Sequence, residues 1–224
     1  MAVVVFDLDD TLYKEQDFVH SAFRAIANVL SDKGIEASEA YRVMDDAFGE
    51  SHNPIDAVLD RFPSAIGEKQ LVDIYRNHLP EISLDEETMN ALSELQALRH
   101  EMALITDGRS RSQRNKIAAL GLERYMPASS MYISEETGAD KLHPDNFIAV
   151  QRRYPREKHY VYVGDNPAKD FLQPNRLGWV TVCLEDDGRN IHSQQISVEE
   201  EAEPEYSLRS IGELPRLLEA LFNL

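Results

Sequence analysis

The stretch VVVFDLDDTLY, residues 3–13, decides the fold of this chain. Residues 3–6 are β-branched or aromatic, which predicts a buried strand. Asp7, Asp9 and Asp10 follow directly, so this strand ends in carboxylates that repel one another. In an open parallel sheet, ligands bind beyond the carboxyl ends of the strands. We therefore expect Asp7 and Asp9 to face a binding crevice at that edge of the sheet.

Further short apolar runs follow along the chain and resemble the first one. They are MALITD (102–107), MYIS (131–134), HYVYVGD (159–165) and WVTVCLE (179–185). Each predicts a strand, and apolar residues at three- and four-residue spacing predict a helix in each interval between them. Alternating strands and helices predict an α/β fold with a Rossmann-like parallel sheet that is covered on both faces.

Residues 14–85 have a different texture, with four helical patterns and no clear strand. We therefore predict two domains: an α/β core of residues 1–13 and 86–224, and an inserted all-helical domain of residues 14–85. The acidic stretch SVEEEAEPEYS (197–207) predicts a solvated loop before a final helix over 211–224.

Composition excludes several classes of partner. Of 224 residues, 42% are hydrophobic, enough for a real core, and the net charge of -17 would repel nucleic acid or an anionic bilayer. The apolar runs are far shorter than the roughly 20 residues of a membrane span, so we expect a cytoplasmic protein. The single Cys183 cannot form an internal disulfide and is interpreted as a buried structural thiol. The oligomeric state is not predicted.

Three predicted strands bring polar groups to one edge of the sheet. The motif ITDG supplies Thr106, Asp107 and Gly108, and the motif GDNPAKD supplies Asp165, Asn166 and Asp170. Two carboxylates about 4 Å apart repel by roughly 4 kcal/mol at an effective dielectric near 20. A hard divalent ion with oxygen ligands relieves this repulsion, and we predict Mg²⁺.

Lys141 and Thr106 indicate what else binds there. An ammonium group and a hydroxyl beside carboxylates suit a phosphate, because they offset the repulsion between the anions. Asp7 would then attack phosphorus to form an aspartyl-phosphate. Asp9, two residues later, would protonate the leaving oxygen and take the proton of the hydrolytic water.

The motifs DLDDT, ITDG, Lys141 and GDNPAKD resemble, in order and rough spacing, the four motifs of the haloacid dehalogenase superfamily. The helical insertion resembles its C1-type cap. This resemblance implies Asp7 as nucleophile and metal ligand, Asp9 as acid/base and metal ligand through its carbonyl, and Asp165 as a further ligand. It implies phosphate binding by Thr106, Asp107, Gly108 and Lys141, with Asp170 and Asn166 in support.

An acidic residue at position 9 resembles the phosphatase and phosphomutase branches. The sequence departs from the family pattern at Asp107, where Asn is usual, and at Leu142, where Pro often follows the lysine. The resemblance implies an Mg²⁺-dependent phosphatase for a small phosphorylated metabolite, such as a nucleotide or a sugar phosphate. A phosphomutase, a signalling receiver domain and a regulatory protein without turnover remain as alternatives.

Overall fold

The computed structural model of the chain describes residues 1–63 and 66–222. Residues 64–65 of the predicted helical domain and residues 223–224 of the predicted final helix lie outside this description. Among the described residues, no helix is both long enough and apolar enough to cross a bilayer.

One parallel sheet of six strands forms the centre of the described structure. The strands are β1 (Val3–Phe6), β2 (Glu101–Thr106), β3 (Met131–Ile133), β4 (Tyr160–Gly164), β5 (Val180–Leu184) and β6 (Tyr206–Leu208). Their order across the sheet is β3-β2-β1-β4-β5-β6, and every neighbouring pair is parallel. The predicted α/β class with a parallel sheet is confirmed.

Strand β1 lies between β2 and β4, and the order of the sheet reverses there. Phe6, the last residue of β1, pairs with Leu104 on one side and with Val163 on the other. The chain therefore turns away from the sheet on both sides of β1, which opens a crevice beyond its carboxyl end. Asp7 is the first residue past that end.

Helices cover both faces of the sheet. They are α5 (Glu86–Ala97), α6 (Ser110–Leu120), α7 (Ser134–Thr137), α8 (Asp145–Arg153), α9 (Leu172–Arg176) and α10 (Leu214–Phe222), which follow four earlier helices described below. Val4 and Phe6 pack with Leu92 of α5, whereas Val5 faces the opposite layer with Phe147 of α8. Burial on both faces explains why β1 is apolar throughout.

Residues 14–85 contribute α1 (Glu15–Ser31), α2 (Ala37–Gly49), α3 (Pro54–Arg61) and α4 (Glu68–Asn77). These helices share an apolar cluster that contains Phe23, Met44, Val58 and Leu71. The described residues of this segment form no strand. Their helical periodicity is therefore explained by packing of the four helices against one another.

Two details of the sequence interpretation were wrong. Tyr206–Leu208, at the end of the stretch that we interpreted as a solvated loop, form the edge strand β6 and pair with β5. The sequence signal failed because an edge strand of three residues carries little periodicity. The pattern PAKDFLQPNRLG (167–178) predicts a helix after the fourth strand, but α9 begins only at Leu172. Residues 166–170 instead form a turn in which the N–H of Asp170 donates to the carbonyl of Asn166.

Candidate active site

A polar crevice lies beyond the carboxyl ends of β1, β2 and β4. Asp7, Thr106, Lys141 and Asp165, which come from four separate parts of the sequence, line it together. The remaining lining residues are Asp9, Asp10, Glu15, Asp107, Asn166, Lys169 and His192. The crevice forms because parallel strands deliver their following loops to the same edge of the sheet.

Asp7 is buried and forms an ion pair with Lys141. Its Oδ1 lies 2.5 Å from Lys141 Nζ, which also lies 2.8 Å from Asp170 Oδ1. Burial raises the pKa of Asp7 well above its usual value, although the charge of Lys141 opposes this. Burial alone would lower the pKa of Lys141, but the charges of Asp170 and Asp7 outweigh it and raise that pKa. The lysine is therefore a fixed positive charge beside Asp7.

Asp170 organises the loop after β4. Its Oδ1 accepts hydrogen bonds from Lys141 Nζ and from the Tyr162 hydroxyl at 3.1 Å. Its Oδ2 accepts from the backbone N–H groups of Asp165 at 3.2 Å and Asn166 at 2.8 Å. Asp170 is fully buried, so these four donors use the capacity of both oxygens.

Asp165 is the acidic residue of this loop that still has capacity for a cation. Its Oδ2 accepts a hydrogen bond from Asn190 Nδ2 at 3.0 Å. Burial, followed by the charges of Asp170 and Asp10, raises the pKa of Asp165 to about 7. A further cation beside these carboxyl groups would therefore favour the ionised form of Asp165.

The residues at this site fit a hard divalent cation. Oxygens of Asp7, Asp165 and Asp170 lie within 4.8 Å of one another. Because Asp170 is already saturated by four donors, the donor set that fits a cation is Asp7 and Asp165. Carboxylate oxygens with no nitrogen or sulfur among them suit Mg²⁺, which keeps several water ligands.

The Asp9 side chain has other partners than Asp7. Its Oδ1 lies 2.7 Å from Lys116 Nζ and accepts a hydrogen bond from the Tyr13 hydroxyl at 2.5 Å, while Oδ2 accepts from Gln113 Nε2 at 2.9 Å. Burial alone would raise the pKa of Asp9, but the charge and hydrogen bond of Lys116 outweigh it and lower that pKa. Asp9 is thus an ionised carboxylate held by three donors.

Gln113 and Lys116 were missed by the sequence reasoning. They lie one turn apart on α6, and both are buried. The Gln113 amide also donates to Thr106 Oγ1 at 2.6 Å, so one side chain connects the loops after β1 and β2. The sequence signal for them is weak: it is an amide and an ammonium side chain three residues apart in a predicted helix.

The second motif is arranged around Lys141 and Gln113. Asp107 Oδ1 accepts a hydrogen bond from the backbone N–H of Lys141 at 3.1 Å. The acidic side chain at position 107 therefore holds the loop that carries Lys141. Gly108 has a φ of 148°, and a Cβ there would approach Gln113 to 3.0 Å. Its N–H donates to Ser134 Oγ at 2.9 Å, and Gly108 is not among the residues that line the crevice.

A wider and more apolar cleft adjoins the crevice. Glu15 and His192 line both, and the cleft extends between α1 and α4 along Val19, Tyr75 and Arg76. Burial, followed by the charge of Asp9, raises the pKa of Glu15 to about 8. The cleft provides space for a group attached to whatever binds beside Asp7.

A protein-family model described as haloacid dehalogenase-like hydrolase matches residues 1–172. Two archaeal relatives carry the name glyceraldehyde 3-phosphate phosphatase. The protein from Methanocaldococcus jannaschii is 27% identical, with 97% of each chain covered. The protein from Methanopyrus kandleri is 29% identical, with 81% of this chain and 82% of the relative covered.

Solved structures with the same fold include two hydrolases from other organisms. The HAD-hydrolase YfnB from Bacillus subtilis, solved with bound magnesium, matches with a TM-score of 0.69 at 22% identity, covering 97% of this chain and 98% of that one. A HAD phosphatase from Thermococcus onnurineus matches with a TM-score of 0.60 at 22% identity and the same coverage.

Proposed function

This chain belongs to the haloacid dehalogenase-like hydrolase family, and from that premise we propose that it is an Mg²⁺-dependent phosphatase. Its substrates would be small phosphorylated metabolites of the cytoplasm. The reaction would pass through a phosphoryl group carried on Asp7. The observation that carries this proposal is the meeting of Asp7, Lys141, Thr106 and Asp165 in one crevice.

The ion pair of Asp7 and Lys141 supports the first chemical step. Asp7 Oδ1 lies 2.5 Å from Lys141 Nζ, so a phosphoryl group that Asp7 attacks would lie within reach of the ammonium group. Lys141 would offset charge on the equatorial oxygens, and the Thr106 hydroxyl would donate to one of them. Formation of the aspartyl-phosphate breaks the bond between phosphorus and the leaving oxygen.

Asp9 supports the second step. Because Lys116 lowers its pKa, Asp9 is ionised and can accept the proton of the water that attacks the aspartyl-phosphate. In the next turnover Asp9 would return that proton to the leaving oxygen of a new substrate. One carboxylate thereby serves as base and acid in alternate half-reactions.

Asp7 and Asp165 would hold the metal, with Asp9 as a further ligand through its backbone carbonyl. The oxygen-only donor set and the mutual repulsion of carboxylates that lie this close together support Mg²⁺. When bound, Mg²⁺ would neutralise charge on the phosphoryl oxygens. Asp170 and Asn166 would act in support, since they shape the loop that carries Asp165.

We propose residues 14–85 as a cap domain over the crevice, with residues 1–13 and 86–224 as the core. The cleft between α1 and α4 would take the part of the substrate that leaves with the alcohol oxygen. A partly enclosed cleft favours a small molecule over a macromolecule. The names of the two archaeal relatives make glyceraldehyde 3-phosphate the first substrate to test.

The test measures release of inorganic phosphate from a panel of phosphomonoesters, headed by glyceraldehyde 3-phosphate, with Mg²⁺ and with EDTA. We expect activity only with Mg²⁺ and its loss in Asp7→Asn, while the exposed control Asp60→Asn keeps parent activity. Activity of Asp7→Asn equal to the parent would refute the nucleophile. Phosphoryl transfer to a second hydroxyl without free phosphate would indicate a mutase.

A further inference from the structure

The loop after β5 returns to the candidate metal site. Of residues 185–193, only Asn190 is not exposed. Its Nδ2 donates to Asp165 Oδ2 at 3.0 Å, although the two residues are 25 positions apart. Further along, Gln194 Nε2 donates to the backbone carbonyl of Asp165 at 2.7 Å. The loop therefore holds both the side chain and the main chain of one candidate ligand.

A lysine on the other side fixes the orientation of the Asn190 amide. Lys14 Nζ donates to Asn190 Oδ1 at 2.7 Å. Because an ammonium group only donates and a carboxylate only accepts, the amide can satisfy Lys14 and Asp165 in one orientation alone. The oxygen faces the lysine, and the nitrogen faces the aspartate. Asparagine carries both functions on one rigid group.

Lys14 is the residue that immediately precedes helix α1. A continuous hydrogen-bonded chain thus runs from the beginning of α1, through Asn190, to Asp165. The backbone gives a parallel connection, since Asp10 accepts the N–H of Glu15 at 2.8 Å and the N–H of Ile191 at 2.9 Å. The start of the helical segment and the loop after β5 are thereby held together beside the crevice.

We infer that Asn190 is a positioning residue for the metal site and that Lys14 acts on Asp165 through it. This inference rests on the proposed function, because it assigns Asp165 as an Mg²⁺ ligand. Asn190 takes one lone pair of Oδ2 and fixes the carboxylate. The other oxygen, Oδ1, accepts a long hydrogen bond from Thr11 Oγ1 at 3.5 Å and keeps a lone pair for the cation. Partners that orient a ligand in this way change metal affinity by about 10- to 100-fold when they are removed.

The connection to α1 has a thermodynamic consequence. If helix α1 moves away from the sheet, Lys14 withdraws from Asn190 and the amide loses its fixed orientation. Mg²⁺ affinity is then coupled to the position of α1, and by reciprocity bound Mg²⁺ favours the arrangement in which Lys14 contacts Asn190. The contact between Lys14 and Asn190 thereby affects both the Mg²⁺ affinity and the position of α1.

The test measures Mg²⁺ affinity of the purified full-length protein by isothermal titration calorimetry, without substrate. We expect Asn190→Ala to weaken binding by about ten-fold and Lys14→Met by about three-fold. The double variant should bind like Asn190→Ala alone, because Lys14 acts only through the amide. Thermal unfolding of the metal-free variants should remain close to that of the parent.

Two control variants isolate the contact. Arg176→Met removes an exposed positive charge that pairs with Glu201 and does not contact Lys14, and Gln195→Ala truncates an exposed side chain near Asn190. Both should bind Mg²⁺ like the parent. At saturating Mg²⁺, Asn190→Ala should recover most of the parent kcat, which a disrupted fold would not do.

The outcomes separate the two proposals. If the parent binds Mg²⁺ and Asn190→Ala binds it equally well, the positioning role falls and the phosphatase proposal stands. If the effects of Lys14→Met and Asn190→Ala on Mg²⁺ affinity are strictly additive, Lys14 does not act through Asn190. A parent that binds no Mg²⁺ would overturn both proposals. Should Asn190→Ala fail to fold, Lys14→Met still decides the question.

Discussion

The ammonium group of Lys116 lies 2.7 Å from Oδ1 of Asp9, and both side chains are largely shielded from solvent. Lys116 also lies 4.2 Å from the centroid of the Phe18 ring on α1. One lysine on α6 therefore contacts the candidate acid/base group and the first helix of the 14–85 segment. An ion pair in such surroundings is strong because little water competes for either charge.

Replacing Lys116 with Met should impair proton transfer. Without the lysine, burial raises the pKa of Asp9, since desolvation disfavours the carboxylate. We expect kcat to fall by about 100-fold, the lower end of the usual contribution of general acid–base catalysis, because Asp9 is the proposed base in hydrolysis of the aspartyl-phosphate. The acidic limb of its pH profile should move to higher pH. An acidic limb at the parent's position would contradict the role of Lys116, and the exposed Lys158→Met serves as control.

Replacing Asp170 with Asn should destabilise the fold. The change removes a charge that Lys141 faces at 2.8 Å in a fully buried position. Breaking a buried ion pair by removing one partner lowers the free energy of unfolding by about 3–5 kcal/mol. Urea denaturation of the metal-free protein measures the change. Asp60→Asn, at an exposed position, should unfold with the parent, and a similar result for Asp170→Asn would show that Asp7 alone balances the lysine.

Gly164 ends β4 where there is no room for a side chain. A Cβ on this residue would lie 2.5 Å from Asp170 Oδ2, which accepts the N–H groups that shape the loop. Gly164→Ala should displace Asp170 and lower both Tm and phosphatase activity. At Gly49 a Cβ would meet nothing within 4 Å, so Gly49→Ala is the matched control and should keep both. Equal behaviour of the two variants would contradict the close approach.

Glu15 should make the metal-free protein less stable as pH rises. Its pKa is raised from 4.5 to about 8, so the folded state binds a proton that the unfolded state releases between these values. The free energy of unfolding therefore decreases through this window. Glu15→Gln carries no titrating group and should gain Tm relative to the parent between pH 5 and pH 8. The measurement is thermal unfolding in EDTA at both pH values.

An exposed glutamate gives the control for this pH dependence. Glu219 on α10 is exposed, so Glu219→Gln should follow the parent at both pH values. If Glu15→Gln also follows the parent, then neither burial nor the charge of Asp9 raises the pKa of Glu15, and the prediction is wrong.

The sequence by itself determined five of the six described strands and most helices. Apolar runs with polar ends located β1 to β5 within a residue or two, because burial on both faces leaves a continuous local signal. The order of the acidic motifs also located Asp7, Lys141 and Asp165, which the structure brings to one crevice. These signals lie within short stretches of chain. The edge strand β6 was missed because its three residues carry no such pattern.

Only the tertiary structure decided which side chains donate hydrogen bonds to the acidic residues of the site. Lys116 reaches Asp9 across 107 positions, and Asn190 reaches Asp165 across 25. Neither contact follows from a local pattern, because each depends on how a helix or loop crosses the sheet and on the register of β1 with its neighbours. Periodicity specifies which face of an element is buried, whereas the partner of a buried charge is fixed when the elements pack together.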